Sequence, residues 1–221
     1  MSAWRMRSCG IVAALAAGLA ISACGGGSNQ AAGEPNGKFP VAVDTASFPA
    51  TQKLAQPSHL VIAVRNAGTK AIPDVAVTIC NVTCAYPAPA GEGTSAAAFA
   101  ANSSQSYLAN PSRPLWIVNT APGPCLYSCR NGGQGAAVTA YNNTWALGRL
   151  PPGHTARFDW AVTAVKTGRH VVAWEVAAGL NGKAKAVLAG GGLPHGTFTV
   201  TVGSKPPQSY VNNNGQIVTT Q

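Results

Sequence analysis

The sequence predicts an all-β protein, a sandwich of two sheets packed face to face. Between residues 58 and 202 the dominant pattern is a strict alternation of apolar and polar side chains. The alternating segments are short, and Gly, Pro and Asn separate them. No part of the chain after the N-terminal apolar run shows a helical stripe. Sheets with one apolar face bury it by packing together, so a sandwich follows.

Five segments alternate clearly enough to be predicted as strands. Turn residues at 66–69 separate the first two, and Gly168 separates the third from the fourth. Because successive side chains of a strand point to opposite faces, the apolar positions of each segment share one face. Trp160 and Trp174 are the predicted core aromatics. The apolar positions are Leu60, Ile62 and Val64; Val75, Val77 and Ile79; Phe158, Trp160 and Val162; Val172, Trp174 and Val176; and Phe198, Val200 and Val202.

The N-terminus has the layout of an export signal. Arg5 and Arg7 precede an apolar run at residues 11–21, and residues 21–25 read Ile-Ser-Ala-Cys-Gly. This cleavage region resembles the lipobox of bacterial lipoproteins. The resemblance implies that Cys24 receives a diacylglyceryl group and that the chain is cut before it. The mature protein would then be lipid-anchored to the cell membrane and face its extracytoplasmic side.

Two other interpretations of the N-terminus remain. The apolar run could stay as a membrane anchor, although it is shorter than the roughly 20 residues that span a bilayer. It could also be an ordinary secretion signal that is cut without lipidation. The lipobox-like sequence at residues 21–25 favours the lipoprotein. Two acyl chains would then hold the protein stably on a membrane.

The composition divides the chain into four parts. After the signal, a stretch rich in Gly, Ser and Asn is predicted to be a flexible tether. One domain follows, interrupted by a connection far longer than an ordinary loop. A tail rich in Pro and Asn is predicted to be disordered. The predicted parts are a signal peptide at 1–23, lipidated Cys24 with its tether at 24–40, a β-sandwich at 41–203 with an insertion at 81–144, and the tail at 204–221.

Two parts of the sandwich resemble a known class of domain. The hairpin formed by residues 60–64, 66–69 and 75–79 is similar to the start of cell-adhesion-related domains of the immunoglobulin-like type. The Leu-Pro-Pro-Gly turn at 150–153 and the strands up to residue 176 look like the late strands of immunoglobulin-like domains on bacterial surface proteins. The resemblance implies an immunoglobulin-like fold and brings no catalytic residues with it, because such sandwiches carry many functions.

Four cysteines remain after Cys9 leaves with the signal and Cys24 takes the lipid. They form two Cys-x-x-x-Cys pairs at either end of the insertion, and an even count in an exported protein favours two disulfides. Cross-pairing is slightly preferred over two local bridges, since it would tie the insertion to the sandwich and contribute about 4 kcal/mol. A four-thiolate zinc site and a redox-active pair are the alternatives. The four are Cys80, Cys84, Cys125 and Cys129.

The sequence predicts no enzyme and no cofactor. Its four histidines are isolated, its six acidic residues form no pair, and Asp159 and Glu175 fall on the outward faces of strands. We therefore expect no catalytic residue, no metal site and no organic cofactor. The formal net charge is +9, or +7 after Arg5 and Arg7 are removed, but it is scattered and predicts no nucleic-acid binding.

The function predicted from these features is a non-catalytic binding or adhesion module of the cell envelope. Aromatic side chains of the insertion are the candidate binding surface, because aromatic residues are good contact anchors, and core packing is the alternative for each. The expected partner is an envelope protein or a polysaccharide. A structural adaptor joined through sheet edges is the alternative function. The candidate residues are Trp116, Tyr127, Tyr141 and Trp145.

Overall fold

The protein is an all-β sandwich, as the sequence predicts. The computed structural model describes residues 33–84, 98–101, 114–123 and 143–220, and within these ranges it contains thirteen strands and no helix. No helix long and apolar enough to cross a bilayer is therefore found in the described ranges. The strands are β1 (Gly37–Ser47), β2 (Thr51–Lys53), β3 (Pro57–Asn66), β4 (Ala76–Asn81), β5 (Phe99–Ala101), β6 (Trp116–Thr120), β7 (Thr144–Ala146), β8 (Thr155–Ala164), β9 (Gly168–Ala177), β10 (Ala184–Leu188), β11 (His195–Gly203), β12 (Gln208–Val211) and β13 (Ile217–Thr220).

Two sheets form the sandwich. The larger sheet has the order β10-β1-β3-β8-β6-β5 and the smaller sheet the order β2-β11-β9-β4-β7. In chain order, β1, β3 and β8 take the places of strands A, B and E of an immunoglobulin domain, and β4, β9 and β11 take those of C, F and G. The topology is therefore immunoglobulin-like. Strands β5 and β6, which lie in the predicted insertion, extend the larger sheet beyond β8.

The core lies between the two sheets and consists of the apolar positions that alternation predicts. Strand β8 shows this most clearly, because Phe158, Trp160 and Val162 are fully buried while Arg157 is exposed. Trp174 on β9 is 6% exposed, so both predicted core aromatics are confirmed. Period-two alternation thus separates the inner face of each central strand from its outer face.

Several strand termini meet at one end of the sandwich, which we call the β1 end. There β1, β8 and β10 begin, while β3 and β9 finish, as their pairing registers show. The opposite end, which we call the far end, holds the start of β3 and β9 and the last residues of β8 and β11. The chain enters the sandwich at the β1 end.

Two predicted boundaries differ from the structure. Strand β1 begins at Gly37, inside the predicted tether. The predicted disordered tail instead forms a hairpin in which β12 pairs with β13. The turn of this hairpin is fixed by Asn212, whose side-chain oxygen accepts hydrogen bonds from the backbone N–H groups of Asn214 (3.0 Å) and Gln216 (2.9 Å).

Candidate functional site

A pocket opens on the outer face of the larger sheet, where three strands lie side by side. The outward residues of β8 here are Arg157, Asp159 and Ala161. Ala161 stands between His59 on β3 and Thr120 on β6 in the strand registers. Because Ala161 carries only a methyl group, its larger neighbours stand above it and leave a hollow.

One carboxylate in this pocket binds two side chains, an imidazole and a guanidinium. Asp159 Oδ1 lies 2.7 Å from His59 Nδ1, and Asp159 Oδ2 accepts a hydrogen bond of 3.2 Å from Arg157 Nη2. The side chains of His59, Asp159 and Arg157 are 64%, 36% and 60% exposed. Exposed ion pairs contribute about 0–1 kcal/mol each, so this arrangement orients the side chains more than it stabilises the fold.

The pocket, which we call the His59 pocket, has a volume of about 320 Å³. Thr120, Ala121 and Pro122 form its wall opposite His59. A volume of this size lies at the lower end of small-molecule sites. Its chemistry combines a guanidinium, an imidazole and a carboxylate with an apolar wall, which suits a small polar group with one apolar face.

A second carboxylate of the outer face is also paired with a cation. Asp44 on β1 accepts hydrogen bonds from Arg65 Nε at 3.3 Å and 3.2 Å through its two oxygens. The hydroxyl of Thr155 donates to the same carboxylate at 3.4 Å. The outer face of the larger sheet therefore neutralises its own acids.

Glu34, which falls in the predicted tether, is bound by backbone groups at the β1 end. Its carboxylate accepts hydrogen bonds of 2.6 Å from the backbone N–H groups of Asn181, in the connection between β9 and β10, and of Ala184, the first residue of β10. A Cβ on Gly179 would collide with the Glu34 carboxylate, so this close approach requires glycine. Burial alone would raise the pKa of Glu34, but backbone donors from residues 180–184 outweigh it and hold the pKa below its ordinary value.

Asp74 lies near Glu34 and is bound in the same manner. Its Oδ1 accepts a hydrogen bond of 2.9 Å from the backbone N–H of Gly148. Burial, and to a smaller extent the negative charge of Glu34, raise the pKa of Asp74, while the Gly148 hydrogen bond opposes them. Both carboxylates at this end are thus held by the backbone and not by cations.

The cysteine prediction is corrected in part. Cys80 and Cys84 form a local disulfide with a Cα–Cα distance of 5.2 Å. The preference for cross-pairing is therefore wrong for this pair, because five consecutive residues at the end of β4 bring the two sulfurs together without the insertion. A four-thiolate zinc site would lack two ligands. Cys125 and Cys129 lie outside the described residues, and a redox role for the cysteines stays a prediction.

The aromatic binding surface is wrong for the two tryptophans. Trp116 is fully buried and donates a hydrogen bond of 2.8 Å from Nε1 to Gln52 Oε1, and Trp145 is 6% exposed. Both pack in the core because β6 and β7 join the sheets with these side chains pointing inward. Tyr127 and Tyr141 lie outside the described residues, as does Cys24.

The structure brings together residues that sequence reasoning treated as isolated. His59 and Asp159 are 100 residues apart and meet because β3 pairs with β8. The signal that could have found them is that each side chain falls on the outward face of an alternating segment. In the described ranges, no three His, Cys, Asp or Glu side chains are placed to hold a metal ion.

Comparisons with known proteins give structural likeness without a family. No protein-family model matches the chain, and no curated protein matches it. It is similar to the CARDB domain of PF1109 from Pyrococcus furiosus, solved in complex with di-metal ions, with 14% identity, a TM-score of 0.37, and coverage of 76% of this chain and 96% of that one. The hairpin predicted at residues 60–79 is itself wrong, because β3 lies in the larger sheet and β4 in the smaller one, so the turn at 66–69 crosses between the sheets.

Two other solved structures are similar at the same level. Native α2-macroglobulin of Escherichia coli, from domain MG7 to the C-terminus, has 14% identity and a TM-score of 0.40 over 78% of this chain and 18% of that one. The reeler domain of human F-spondin has 6% identity and a TM-score of 0.35 over 76% of this chain and 92% of that one. This chain therefore spans less than a fifth of the α2-macroglobulin structure.

Proposed function

We propose that this chain is a lipid-anchored extracytoplasmic lipoprotein whose sandwich is a non-catalytic binding module of the cell envelope. The anchoring rests on the lipobox at residues 21–25 and on Cys24 as the acylated residue. The partner is an envelope protein or an envelope polysaccharide. Strands present the binding residues, and rigid strands hold side chains more firmly than loops do.

The observation that carries the binding role is the His59 pocket. Asp159 fixes both His59 and Arg157 on one face of the sheet, and each of these two side chains keeps further nitrogen atoms that can bind a partner. Ala121 and Pro122 line the same pocket beside these polar groups. A binding site needs such an arrangement of a few oriented polar groups on an apolar surface.

Binding is tested with the acylated full chain and envelope material from the source cell. Detergent-solubilised envelope proteins and purified envelope polysaccharide are offered separately to the wild type and to Arg157→Gln. Loss of a charge-assisted contact predicts about tenfold weaker retention by the variant. Arg169→Gln at the far end is the matched control, since Arg169 is also an exposed arginine on a strand. Equal retention by both variants would reject the pocket as the binding site.

Anchoring is tested by cell fractionation. Cys24→Ala removes the sulfur atom that would carry the diacylglyceryl group. The variant protein should therefore leave the membrane fraction or keep its uncleaved signal peptide. Salt washing of the wild type provides the control, because an acyl anchor resists ionic strength whereas electrostatic binding is screened. A wild-type protein released by salt would contradict lipid anchoring.

A structural adaptor is a second candidate, and the C-terminal hairpin favours it. Strands β12 and β13 form a sheet of their own and leave Tyr210, Val211 and Ile217 55%, 66% and 77% exposed. Exposed strand edges with apolar side chains can pair with a partner's strand. Val211→Lys should abolish an assembly made through this hairpin, and Val82→Lys, at an exposed apolar residue outside it, should not.

A further inference from the structure

The β1 end of the sandwich carries exposed cations that form no ion pair with the acids of the described residues. Lys38 and Lys185 are register partners on β1 and β10, and both are exposed. Lys70 and Arg149 lie in neighbouring connections that the bridge between Ile72 and Leu150 joins, and they are exposed as well. We call Lys38, Lys70, Arg149 and Lys185 the basic rim.

The acids of this end do not neutralise the basic rim. Glu34 and Asp74 are held by backbone N–H groups of the β9–β10 connection, of the start of β10 and of Gly148. No ion pair joins a rim cation to any carboxylate that the structure describes. Lys38 and Lys185 stand side by side, and like charges in register on neighbouring strands repel each other. An anion placed over them would remove this repulsion.

The path of the chain specifies which anion meets the rim. Glu34 is fixed at the β1 end, ten positions after Cys24 in the chain. A chain of that length reaches at most about 35 Å, and the far end lies a further ten-residue strand, about 33 Å, away from the β1 end. A random-coil chain of that length has an average span of about 17 Å, so only an almost fully extended chain would bring the far end to the membrane. A lipid on Cys24 therefore favours orientations in which the β1 end is the nearer one.

We propose that the basic rim docks on the anionic headgroups of the membrane that holds the lipid anchor, with Glu34 as the latch that fixes this orientation. The inference rests on the proposed lipid anchoring. Lysine and arginine side chains near an anionic membrane surface are attracted to it additively, so four of them suffice to orient an anchored domain. The His59 pocket lies towards the far end of the sheet, where His59 near the start of β3 pairs with Ala161, so docking of the β1 end leaves it accessible to an envelope partner.

The test uses the acylated full chain in vesicles of phosphatidylglycerol and phosphatidylcholine, compared with phosphatidylcholine alone. Lysine acetylation rates are read by peptide mass spectrometry. Lys38, Lys70 and Lys185 should react at least threefold more slowly in the anionic vesicles, whereas the far-end lysines Lys53, Lys166 and Lys205 should react equally in both. Equal rates at the two ends, or equal protection in both lipid compositions, would overturn the docking.

Two variants keep this test separate from folding and from anchoring. Glu34→Gln weakens the latch and should reduce the protection of the rim, while Lys38→Gln with Lys185→Gln should reduce the protection of Lys70. The intact mass reports acylation of Cys24 in the same samples. An acylated protein without rim protection rejects the docking alone, and an unacylated protein rejects the proposed anchoring. Full rim protection in Glu34→Gln would overturn the role of the latch.

Discussion

Carboxylates at two places in this molecule are stabilised in different ways. On the outer face of the larger sheet, Asp44 and Asp159 pair with the side chains of Arg65, Arg157 and His59. At the β1 end, Glu34 and Asp74 are held by backbone N–H groups. The first arrangement cancels charge and orients side chains for a partner. The second holds two segments of chain together and leaves the nearby cations with their charge.

The largest effect should come from closing the space that the Glu34 carboxylate occupies. A Cβ at Gly179 would overlap that carboxylate, so Gly179→Ala must displace it and break its hydrogen bonds from Asn181 and Ala184, which should lower the free energy of unfolding by about 2 kcal/mol. Gly203→Ala is the control, because its Cβ would find its nearest neighbour, the carbonyl oxygen of Gln52, at 3.8 Å. Urea unfolding measures both, and equal midpoints would show that the latch does not form.

A smaller effect is expected from the latch side chain itself. Glu34→Gln keeps an oxygen that accepts one hydrogen bond but loses the charge, so the free energy of unfolding should fall by about 1 kcal/mol. Hydrogen exchange should increase at the amides of Asn181 and Ala184, which donate to Glu34. Unchanged protection of these two amides would mean that the carboxylate does not bind them in solution.

The two backbone-bound carboxylates should respond to pH with opposite signs. The lowered pKa of Glu34 gives a stabilisation that is present above its unfolded pKa, about 4.3, and lost as the pH falls through the folded value. The raised pKa of Asp74 has the opposite effect, because the folded state binds a proton at Asp74 at a higher pH than the unfolded state does. Protonation of Asp74 therefore favours folding as the pH falls. The stability difference between wild type and Glu34→Gln should therefore shrink below about pH 4.

The coupling between these two carboxylates gives a direct check. The charge of Glu34 contributes to the raised pKa of Asp74, so Glu34→Gln should lower the pKa of Asp74. Carbon-detected NMR titration of the Asp74 carboxyl group reads this shift. An unchanged pKa of Asp74 in the variant would place the two carboxylates too far apart to interact.

The smallest effect is expected on the outer face. Asp159→Asn removes an exposed carboxylate that pairs with His59 and Arg157, and it should change the free energy of unfolding by less than about 1 kcal/mol. Salt at about 1 M should abolish this difference, because exposed ion pairs are screened. A loss as large as that of Gly179→Ala would contradict the assignment of the outer face to binding.

Local alternation was sufficient to predict the sandwich and its core. Strand β8 follows the prediction residue by residue, with Phe158, Trp160 and Val162 inside. The same pattern places Asp159 outside, but it carries no information about which distant strand lies beside it. The pairing of β3 with β8, which joins His59 to Asp159, is a property of the whole topology. The His59 pocket was therefore beyond reach of the sequence.

Other misses have their own physical causes. Trp116 and Trp145 were proposed as contact residues because aromatic side chains are good contact anchors, but the same side chains are also good core residues, and the structure buries both. Glu34 was missed because backbone N–H donors are common to nearly all residue types and leave no pattern in the sequence. The tail was predicted from its Asn and Pro content, whereas the Asn212 side chain uses that composition to close a hairpin turn.

The most direct test of an anchored sandwich is peptide mass spectrometry of protein purified from the native envelope without reducing agent. The account predicts an N-terminal peptide that begins at Cys24 and carries acyl chains, together with a disulfide between Cys80 and Cys84. An N-terminus without lipid would contradict the anchoring and, with it, the docking of the basic rim. Free thiols at Cys80 and Cys84 would contradict the local disulfide and bring the metal site back into consideration.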